Sequence, residues 1–218
     1  NLAPDASGEF TPGFARQRSG SPVTTLVSRP SGTGARQAGV NSSLTGSRGM
    51  SADGRFVVFE SDADGIDPAA VARHSHLFVR DTLDNTTTLL SRGSGPAGAA
   101  ANGASAGGAI SASGTHVAFF SDATNLLDGE TIAGTHVYVR NLVTGETVLA
   151  DRRASDGTPG TGAATSPEIS GAGNRVVFHG RDALTADAIP QDGALYVRDL
   201  ATETTILTGR GDGADGAV

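Results

Sequence analysis

One stretch of sequence occurs three times along the chain at an almost constant spacing. The copies are SADGRFVVF from Ser51, SASGTHVAF from Ser111 and SGAGNRVVF from Ser170. A second motif ending in Val-Arg follows each copy, and a third motif ending in Arg closes it, so that the two arginines have the same separation in every unit. Repetition at a fixed period is typical of folds that stack copies of one supersecondary unit.

The N-terminal segment matches the second half of this unit. Leu2 stands as far before Arg16 as Ile66 stands before Arg80, and the segment 25–29 (TLVSR) matches the closing motif. The sequence therefore predicts a single repeat domain over residues 1–218. Its parts are half a unit at 1–29, complete units at 30–92, 93–152 and 153–210, and a tail or linker at 211–218.

Each unit is predicted to form four short antiparallel strands. In the first complete unit, residues 56–59, 77–79 and 86–90 are rich in β-branched and aromatic residues and are bounded by Gly, Asp, Asn and Ser. Residues 81–85 are typical of a hairpin loop. The Gly-rich and Ala-rich approach to each Ser-x-x-Gly turn is predicted to be the innermost strand, where small residues allow close packing. These approaches are residues 44–50, 104–110 and 165–169.

The strand pattern favours an all-β propeller of four-stranded antiparallel blades, with about three and a half blades in this chain. Adjacent apolar residues such as Phe56 and Val57 require both faces of a sheet to be covered, as in a blade between two neighbours. A sandwich sheet with one wet face alternates instead. A solenoid is the main alternative, and its period of roughly 20–45 residues is usually shorter than the spacing of these copies.

The segment at 51–62 (SADGRFVVFESD), with weaker copies at 111 and 170, resembles the TolB-type propeller repeat, a relative of the WD-type blade. The resemblance implies a bacterial protein outside the cytoplasm (secreted, cell-surface or periplasmic) that acts as a protein-binding scaffold without a catalytic motif. This sequence lacks the usual Pro before the Asp-Gly turn and has a long connection between residues 62 and 75. These differences leave the predicted fold unchanged, but they weigh against partners that are specific to TolB.

Charge and composition exclude several partners and sites. The net charge is −7, and the 16 basic residues are all Arg and lie scattered along the chain, whereas a nucleic-acid interface is a basic stripe. No Cys is present, which excludes disulfides and thiolate metal sites. No apolar run approaches the roughly 18 residues that a membrane-spanning helix needs. We therefore expect no nucleic-acid partner and no membrane insertion.

Two segments match sequence motifs of catalytic or cofactor-binding sites. Gly103-Ala-Ser105-Ala-Gly107 matches a nucleophile elbow, and residues 93–98 (GSGPAG) match a dinucleotide fingerprint. Both motifs work only where a helix follows, and no helical pattern follows either of them. The first is predicted to lie in an inner strand and the second in a linker between units, so the sequence predicts no catalytic residue and no cofactor.

Acidic and histidine residues offer weak candidates for a metal site. Asp62, Asp64 and Asp67 surround a glycine and offer oxygen ligands to a cation such as Ca²⁺, although the loop is short and lacks a closing Glu. The alternative is a turn whose aspartates cap backbone amides. His74 and His76 can share a strand face, but Zn²⁺ needs three or four converging ligands, and His136 occupies the place of His76 one unit later, too far away to join them. His116 and His179 have no evident acidic partner. The sequence therefore predicts no metal.

The recurring arginines are predicted to have a structural role. They are suited to bidentate hydrogen bonds with carboxylates or backbone oxygens, and Asp81 and Asp199 are candidate acceptors. The alternative is a ring of arginines that binds a ligand. The paired positions are Arg80 and Arg92, Arg140 and Arg152, and Arg198 and Arg210.

The predicted strands do not close a ring, since two strands and three units of four leave half a blade unmatched. We therefore expect either a piece of a longer polypeptide or a protein whose propeller is completed by a partner protein or further copies of the chain. The favoured function is a non-catalytic scaffold for protein interaction or self-assembly. The alternative is an accessory propeller of a hydrolase or carbohydrate-active enzyme. A sugar site favours aromatic side chains, but the chain has two Tyr and no Trp, and both Tyr occupy predicted core positions.

Overall fold

The computed structural model describes residues 13–16, 23–33, 42–45, 48–63, 65–70, 74–161, 163–188 and 193–208. Over these ranges the chain forms fourteen β-strands and no helix, so the prediction of an all-β chain is confirmed. Accordingly, no helix long and apolar enough to cross a bilayer occurs in these ranges.

The strands form a two-stranded sheet followed by three four-stranded sheets, each an antiparallel meander in which neighbours in sequence pair. The half-sheet contains β1 (Phe14–Arg16) and β2 (Thr24–Leu26). Sheet 1 contains β3 (Ser42–Leu44), β4 (Phe56–Ser61), β5 (His76–Asp81) and β6 (Thr86–Leu89). Sheet 2 contains β7 (Ser105–Ile110), β8 (His116–Ser121), β9 (His136–Asn141) and β10 (Thr147–Leu149). Sheet 3 contains β11 (Ala164–Ile169), β12 (Arg175–Gly180), β13 (Ala194–Asp199) and β14 (Thr204–Leu207).

The strand predictions agree with these sheets except at β3. The inner strand expected at residues 44–50 ends at Leu44, and Met50 makes only an isolated bridge to Val57. The cause is local length. The chain from Ser42 to the turn residue Ser51 is longer than the chain between their counterparts Ser105 and Ser111, so sheet 1 must accommodate an extra loop.

The Ser-x-x-Gly motif forms the same turn in all three sheets. In sheet 1 the Ser51 hydroxyl accepts a hydrogen bond from Phe56 N at 3.0 Å, and Gly54 has a φ of 73°, which a side chain would strain. The turns also join the sheets, because Ala52 N donates to Ala112 O at 3.0 Å. Ser113 N makes the corresponding bond to Gly171 O at 3.1 Å.

A second turn joins the third and fourth strands of each sheet. Asp81 Oδ1 accepts hydrogen bonds from the amides of Leu83 and Asp84 at 2.9 and 3.0 Å, and Asn141 and Asp199 do the same in the other sheets. These side chains replace the backbone partners that the turn lacks. A residue just before the fourth strand is left-handed in each case, with Asn85 at 57°, Gly145 at 74° and Glu203 at 57°.

The core consists of apolar layers between successive sheets. Each sheet contributes a pair of facing aromatic rings, with centroids 5.4 to 5.8 Å apart. The long connection between the second and third strands adds one buried aliphatic residue per sheet, namely Ile66, Leu126 or Leu184. The aromatic pairs are Phe59 with Phe78, Phe119 with Tyr138, and Phe178 with Tyr196. Tyr138 and Tyr196 are 1% exposed, so the expectation that both tyrosines lie in the core is confirmed.

Glycine allows sheet 2 to pack closely on sheet 1. A Cβ placed on Gly108 of β7 would lie 2.7 Å from Val58 Cγ1, and Val58 is fully buried. We expect Gly108→Ala to lower the free energy of unfolding by about 1–3 kcal/mol, because the methyl group overpacks the interface. Gly93→Ala is the control, since its Cβ meets nothing closer than 3.5 Å. Denaturant titration measures both, and equal losses would contradict the proposed close packing.

Candidate functional site

The motif that resembles a nucleophile elbow lies within a strand. Ser105 is the first residue of β7 and is 1% exposed, and its hydroxyl donates to Ser121 Oγ at 2.8 Å. Gly107 has a φ of 66° and lies in a bulge of β7 against β8. An elbow needs a serine exposed at a strand-to-helix turn. The structure therefore gives Ser105 a packing role inside sheet 2.

Ser105 belongs to a row of polar residues that crosses sheet 2. Ser105 pairs with Ser121, and Ser121 pairs with His136, so their side chains share one face. His136 Nδ1 lies 2.7 Å from Asp151 Oδ2, and His136 Nε2 lies 3.2 Å from Ala133 O. Both ring nitrogens thus face acceptors, which is the arrangement that a doubly protonated imidazolium satisfies.

The electrostatics of this pair follow from its burial. His136 and Asp151 have side chains 0% and 1% exposed. Burial alone would lower the pKa of His136, but the hydrogen bond and the charge of Asp151 raise the pKa above its ordinary value. Burial also raises the pKa of Asp151, although His136 and the amide of Val137 oppose it. The pair is a buried acid–base contact without access to solvent.

The other sheets keep the position of this row but not its chemistry. In sheet 1, Ser61 pairs with His76, and His76 Nδ1 lies 3.0 Å from Ser91 Oγ instead of a carboxylate. In sheet 3 the corresponding pair is Gly180 with Ala194. The row therefore ties strand ends together with whatever polar groups each sheet supplies.

The candidate metal ligands do not converge among the described residues. His76 and His136 lie in different sheets with separate partners. Asp67 accepts hydrogen bonds from Ala69 N at 2.9 Å and from Leu89 N at 3.1 Å, so it caps backbone amides. Asp64 lies outside the described residues, and the cation hypothesis for this loop stays a prediction.

A buried arginine on the third strand of each sheet forms what we call the arginine latch, together with the threonine opposite it on the fourth strand. Arg140 donates to Gly93 O at 2.9 Å, to Gly95 O at 3.1 Å and to Thr147 Oγ1 at 2.9 Å. Thr147 Oγ1 in turn donates to Arg92 O at 2.9 Å. In sheets 1 and 2 the latch thus holds the linker that arrives from the preceding sheet. In sheet 3, Arg198 donates to Glu203 O of its own hairpin, and Thr205 Oγ1 donates to Arg152 O of the linker at 2.7 Å. The three latches are Arg80 with Thr87, Arg140 with Thr147, and Arg198 with Thr205.

The latch acceptors are backbone and hydroxyl oxygens and, for Arg80, the amide oxygen of Asn85, so the suggestion that Asp81 and Asp199 bind these arginines is wrong. Asp81 instead binds Arg55 at 2.6 Å, and Asp199 binds Arg175 at 2.9 Å, both near the sheet surface. Without a carboxylate partner the latch cation is poorly compensated, and burial lowers the pKa of Arg140 to about 10. Five N–H donors let one guanidinium hold several carbonyls at once.

The second arginine of each pair closes the linker itself. Arg29 Nη2 donates to Thr33 O at 2.6 Å, Arg92 Nε to Gly98 O at 2.9 Å, and Arg152 Nη1 to Gly157 O at 2.9 Å. Arg210 lies outside the described residues. These bonds agree with the structural interpretation of the arginines. They also place the glycine-rich motif at 93–98 in a linker, as the sequence predicted.

One face of sheet 3, which we call the outer face, leaves Leu195 exposed although its counterparts in the other sheets are buried. Leu195 is 50% exposed, whereas Leu77 and Val137 at the same position of sheets 1 and 2 are 0% exposed. Ile206 on the neighbouring strand is 56% exposed. In sheets 1 and 2 this face packs against the following sheet. Sequence reasoning alone gave no sign of the difference, because Leu195 is as apolar as its counterparts.

No family model matches this chain, and no curated protein matches it. Solved structures do resemble it. They include the putative TolB from Agrobacterium tumefaciens, at 15% identity and a TM-score of 0.48, over 90% of this chain and 59% of that one. TolB from Acinetobacter baumannii is 15% identical with a TM-score of 0.46, over 91% and 41% of the two chains. An oligogalacturonate lyase from Vibrio parahaemolyticus is 15% identical with a TM-score of 0.42, over 90% and 46%.

At these identities the likeness concerns the fold alone. The chain spans about three fifths and two fifths of the length of the two TolB structures. TolB proteins, whose repeat the segment at 51–62 resembles, are thus present among the chain's structural neighbours.

The latch predicts a large loss of stability when its arginine is removed. We expect Arg140→Met to lower the free energy of unfolding by about 3 kcal/mol, because it leaves the carbonyls of Gly93 and Gly95 without donors. Arg175→Met is the matched control, since that side chain is 65% exposed and its ion pair is worth less than about 1 kcal/mol. Chemical denaturation compares the two, and a loss from Arg140→Met no larger than the control would contradict the latch.

The buried pair predicts a pH dependence of defined sign. The raised pKa of His136 gives stability that is complete below pH 6.5 and is lost as the pH rises through the folded-state pKa. The slope approaches about 1.4 kcal/mol per pH unit while that proton leaves. In Asp151→Asn, burial alone lowers the histidine pKa, so the contribution reverses sign.

Denaturation of both chains between pH 5.5 and 9 measures this effect. Comparing the two chains cancels the contribution of His116 to the pH dependence, because burial lowers its pKa in both chains. Parallel stability curves for the two chains would show that His136 and Asp151 are not coupled.

Proposed function

We propose that this chain is a non-catalytic propeller scaffold that binds another protein or assembles with copies of itself. Its four-stranded sheets are the blades, about three and a half in number, and they surround a common axis that this chain does not close alone. The single observation that carries the proposal is the outer face of sheet 3. Exposed apolar surface of this kind marks an interaction site when its counterparts in the same fold are buried.

The contacts between sheets 1 and 2 indicate what the outer face accepts. There, Val58 and Leu77 of sheet 1 pack against the small inner strand of sheet 2, where Gly108 approaches most closely. The equivalent residues of sheet 3 are Val177 and Leu195. The surface is therefore shaped for another sheet of the same kind, which a second copy or a partner with such a sheet can supply.

A non-catalytic role is supported by the state of the reactive side chains. Ser105, His136 and Asp151 are buried; the Ser105 hydroxyl donates to Ser121 Oγ, and His136 is bonded to Asp151. Arg80 and Arg140 are engaged by linker carbonyls. The resemblance to the TolB-type repeat supports a location outside the cytoplasm.

The alternative is an accessory propeller of a hydrolase or carbohydrate-active enzyme. A sugar site needs exposed aromatic rings to stack on, and Tyr138 and Tyr196 are both buried. The sequence of the full-length gene product discriminates between the two functions, because a hydrolase segment in it would favour the alternative.

Light scattering on the purified chain tests self-assembly. We expect the chain to associate and Leu195→Glu to abolish or strongly weaken association, because a charge on the outer face cannot be buried against a second sheet. Leu83→Glu makes the same change at a position that is 69% exposed on a hairpin turn, and it should leave association unchanged. A wild-type chain that stays monomeric at high concentration would contradict self-assembly and leave only a heterologous partner.

A further inference from the structure

The half-sheet carries a fourth arginine latch. Arg16 pairs directly with Thr24, and Arg16 Nη1 donates to Thr24 Oγ1 at 3.0 Å, as Arg140 Nη1 does to Thr147 at 2.9 Å. The surroundings differ, because Arg80, Arg140 and Arg198 are 0–5% exposed whereas Arg16 is exposed. Among the described residues no linker carbonyl contacts Arg16.

The occupied latches define what such a site binds. The latch of sheet 1 binds the linker after the half-sheet, through Arg29 O, Pro30 O and Gly32 O. The latch of sheet 2 binds the carbonyls of Arg92, Gly93 and Gly95 in the same order. The ligand in both cases is an Arg-x-Ser-Gly segment that follows the last strand of the preceding sheet and ends in a glycine of positive φ.

The serine of the segment adds a further contact. Ser31 Oγ accepts a hydrogen bond from Thr87 N at 2.9 Å, and Ser94 Oγ accepts one from Thr147 N at 3.1 Å. The same hydroxyls donate to Thr87 O at 3.2 Å and to Thr147 O at 3.3 Å. In sheets 1 and 2 the third residue of the ligand thus offers a side-chain oxygen to the amide of the latch threonine, whereas Ala154 stands at this position in the linker to sheet 3.

The chain contains one more segment of this pattern. Residues 210–213 read Arg-Gly-Asp-Gly and follow β14 as 29–32 follow β2 and as 92–95 follow β6. Asp212 stands at the serine position, where a carboxylate can accept from an amide, and its negative charge complements Arg16. Residues 210–213 lie outside the described residues.

We propose that residues 210–213 of one copy bind the latch of Arg16 and Thr24 on a second copy. This proposal rests on the proposed function and specifies the interface for self-assembly. It agrees with the outer face, because in sheets 1 and 2 the linker from one sheet reaches the latch of the sheet that packs on it. The contact joins two different surfaces, so copies associate head to tail.

Disulfide trapping tests the contact, since the natural chain has no cysteine. Two single variants, Thr24→Cys and Asp212→Cys, are mixed and oxidised, and we expect a covalent dimer on a non-reducing gel. Asp212→Cys mixed with Ser113→Cys, which is exposed on a turn, is the negative control. The double variant Ser31→Cys with Thr87→Cys reports whether a latch of known geometry can be trapped.

A second measurement uses Arg16→Ala in light scattering. We expect association to weaken by about tenfold or more, because the substitution removes at least one charge-assisted hydrogen bond. Arg181→Ala, at another exposed arginine, should have no effect.

The outcomes separate this contact from the broader function. Association that Leu195→Glu abolishes, but that Arg16→Ala leaves intact without trapping, overturns the latch contact and leaves the proposed function standing. If the double variant Thr24→Cys with Asp212→Cys forms its disulfide only within single chains, residues 210–213 occupy the latch of their own chain. That result overturns a second copy as the partner. Absence of both association and trapping overturns the latch contact together with self-assembly.

Discussion

The arginine latch is the interaction on which the arrangement of the sheets depends. Apolar layers bring the sheets together, but they are not directional, and they leave the linker carbonyls between sheets without partners. Arg80 and Arg140 bind those carbonyls from inside the next sheet, where burial makes each hydrogen bond strong and each loss costly. These two latches therefore fix the path of the linker and the position of one sheet on the previous one.

Polar contacts hold both ends of the sheets, but the groups that make these contacts differ between the two ends. At the hairpin end, the buried cation of the latch is neutralised only by dipoles, while Asp81 and Asp199 are engaged by surface arginines. At the opposite end, serines and histidines tie strand termini together, and among the described residues only sheet 2 places a carboxylate, Asp151, beside its histidine. The repeats of this chain thus keep the positions of polar contacts but place different residue types there, because each contact needs only a complementary partner.

Much of the fold was accessible from the residues. The spacing of the repeated motifs located the strands, and the Ser-x-x-Gly turns and Asx hairpins formed as their local chemistry requires. The early end of β3 was missed, because the extra length before Met50 does not alter the apolar pattern. The partner of Arg140 was also missed, since a backbone carbonyl belongs to every residue and leaves no mark in a sequence. The coupling of His136 to Asp151 was hidden by Ser91, which occupies the equivalent position.

The sequence by itself determined the repeated unit, its strands and turns, and the need of each sheet for a cover on both faces, because these properties follow from local propensity and periodicity. Only the tertiary structure decided which sheet faces are buried against another sheet. Leu77, Val137 and Leu195 are equivalent in sequence, yet only Leu195 is half exposed, and Arg16 repeats Arg80 yet lies in solvent. Burial depends on what packs against a residue from elsewhere in the fold, so equal residues acquire unequal roles only when the sheets are placed.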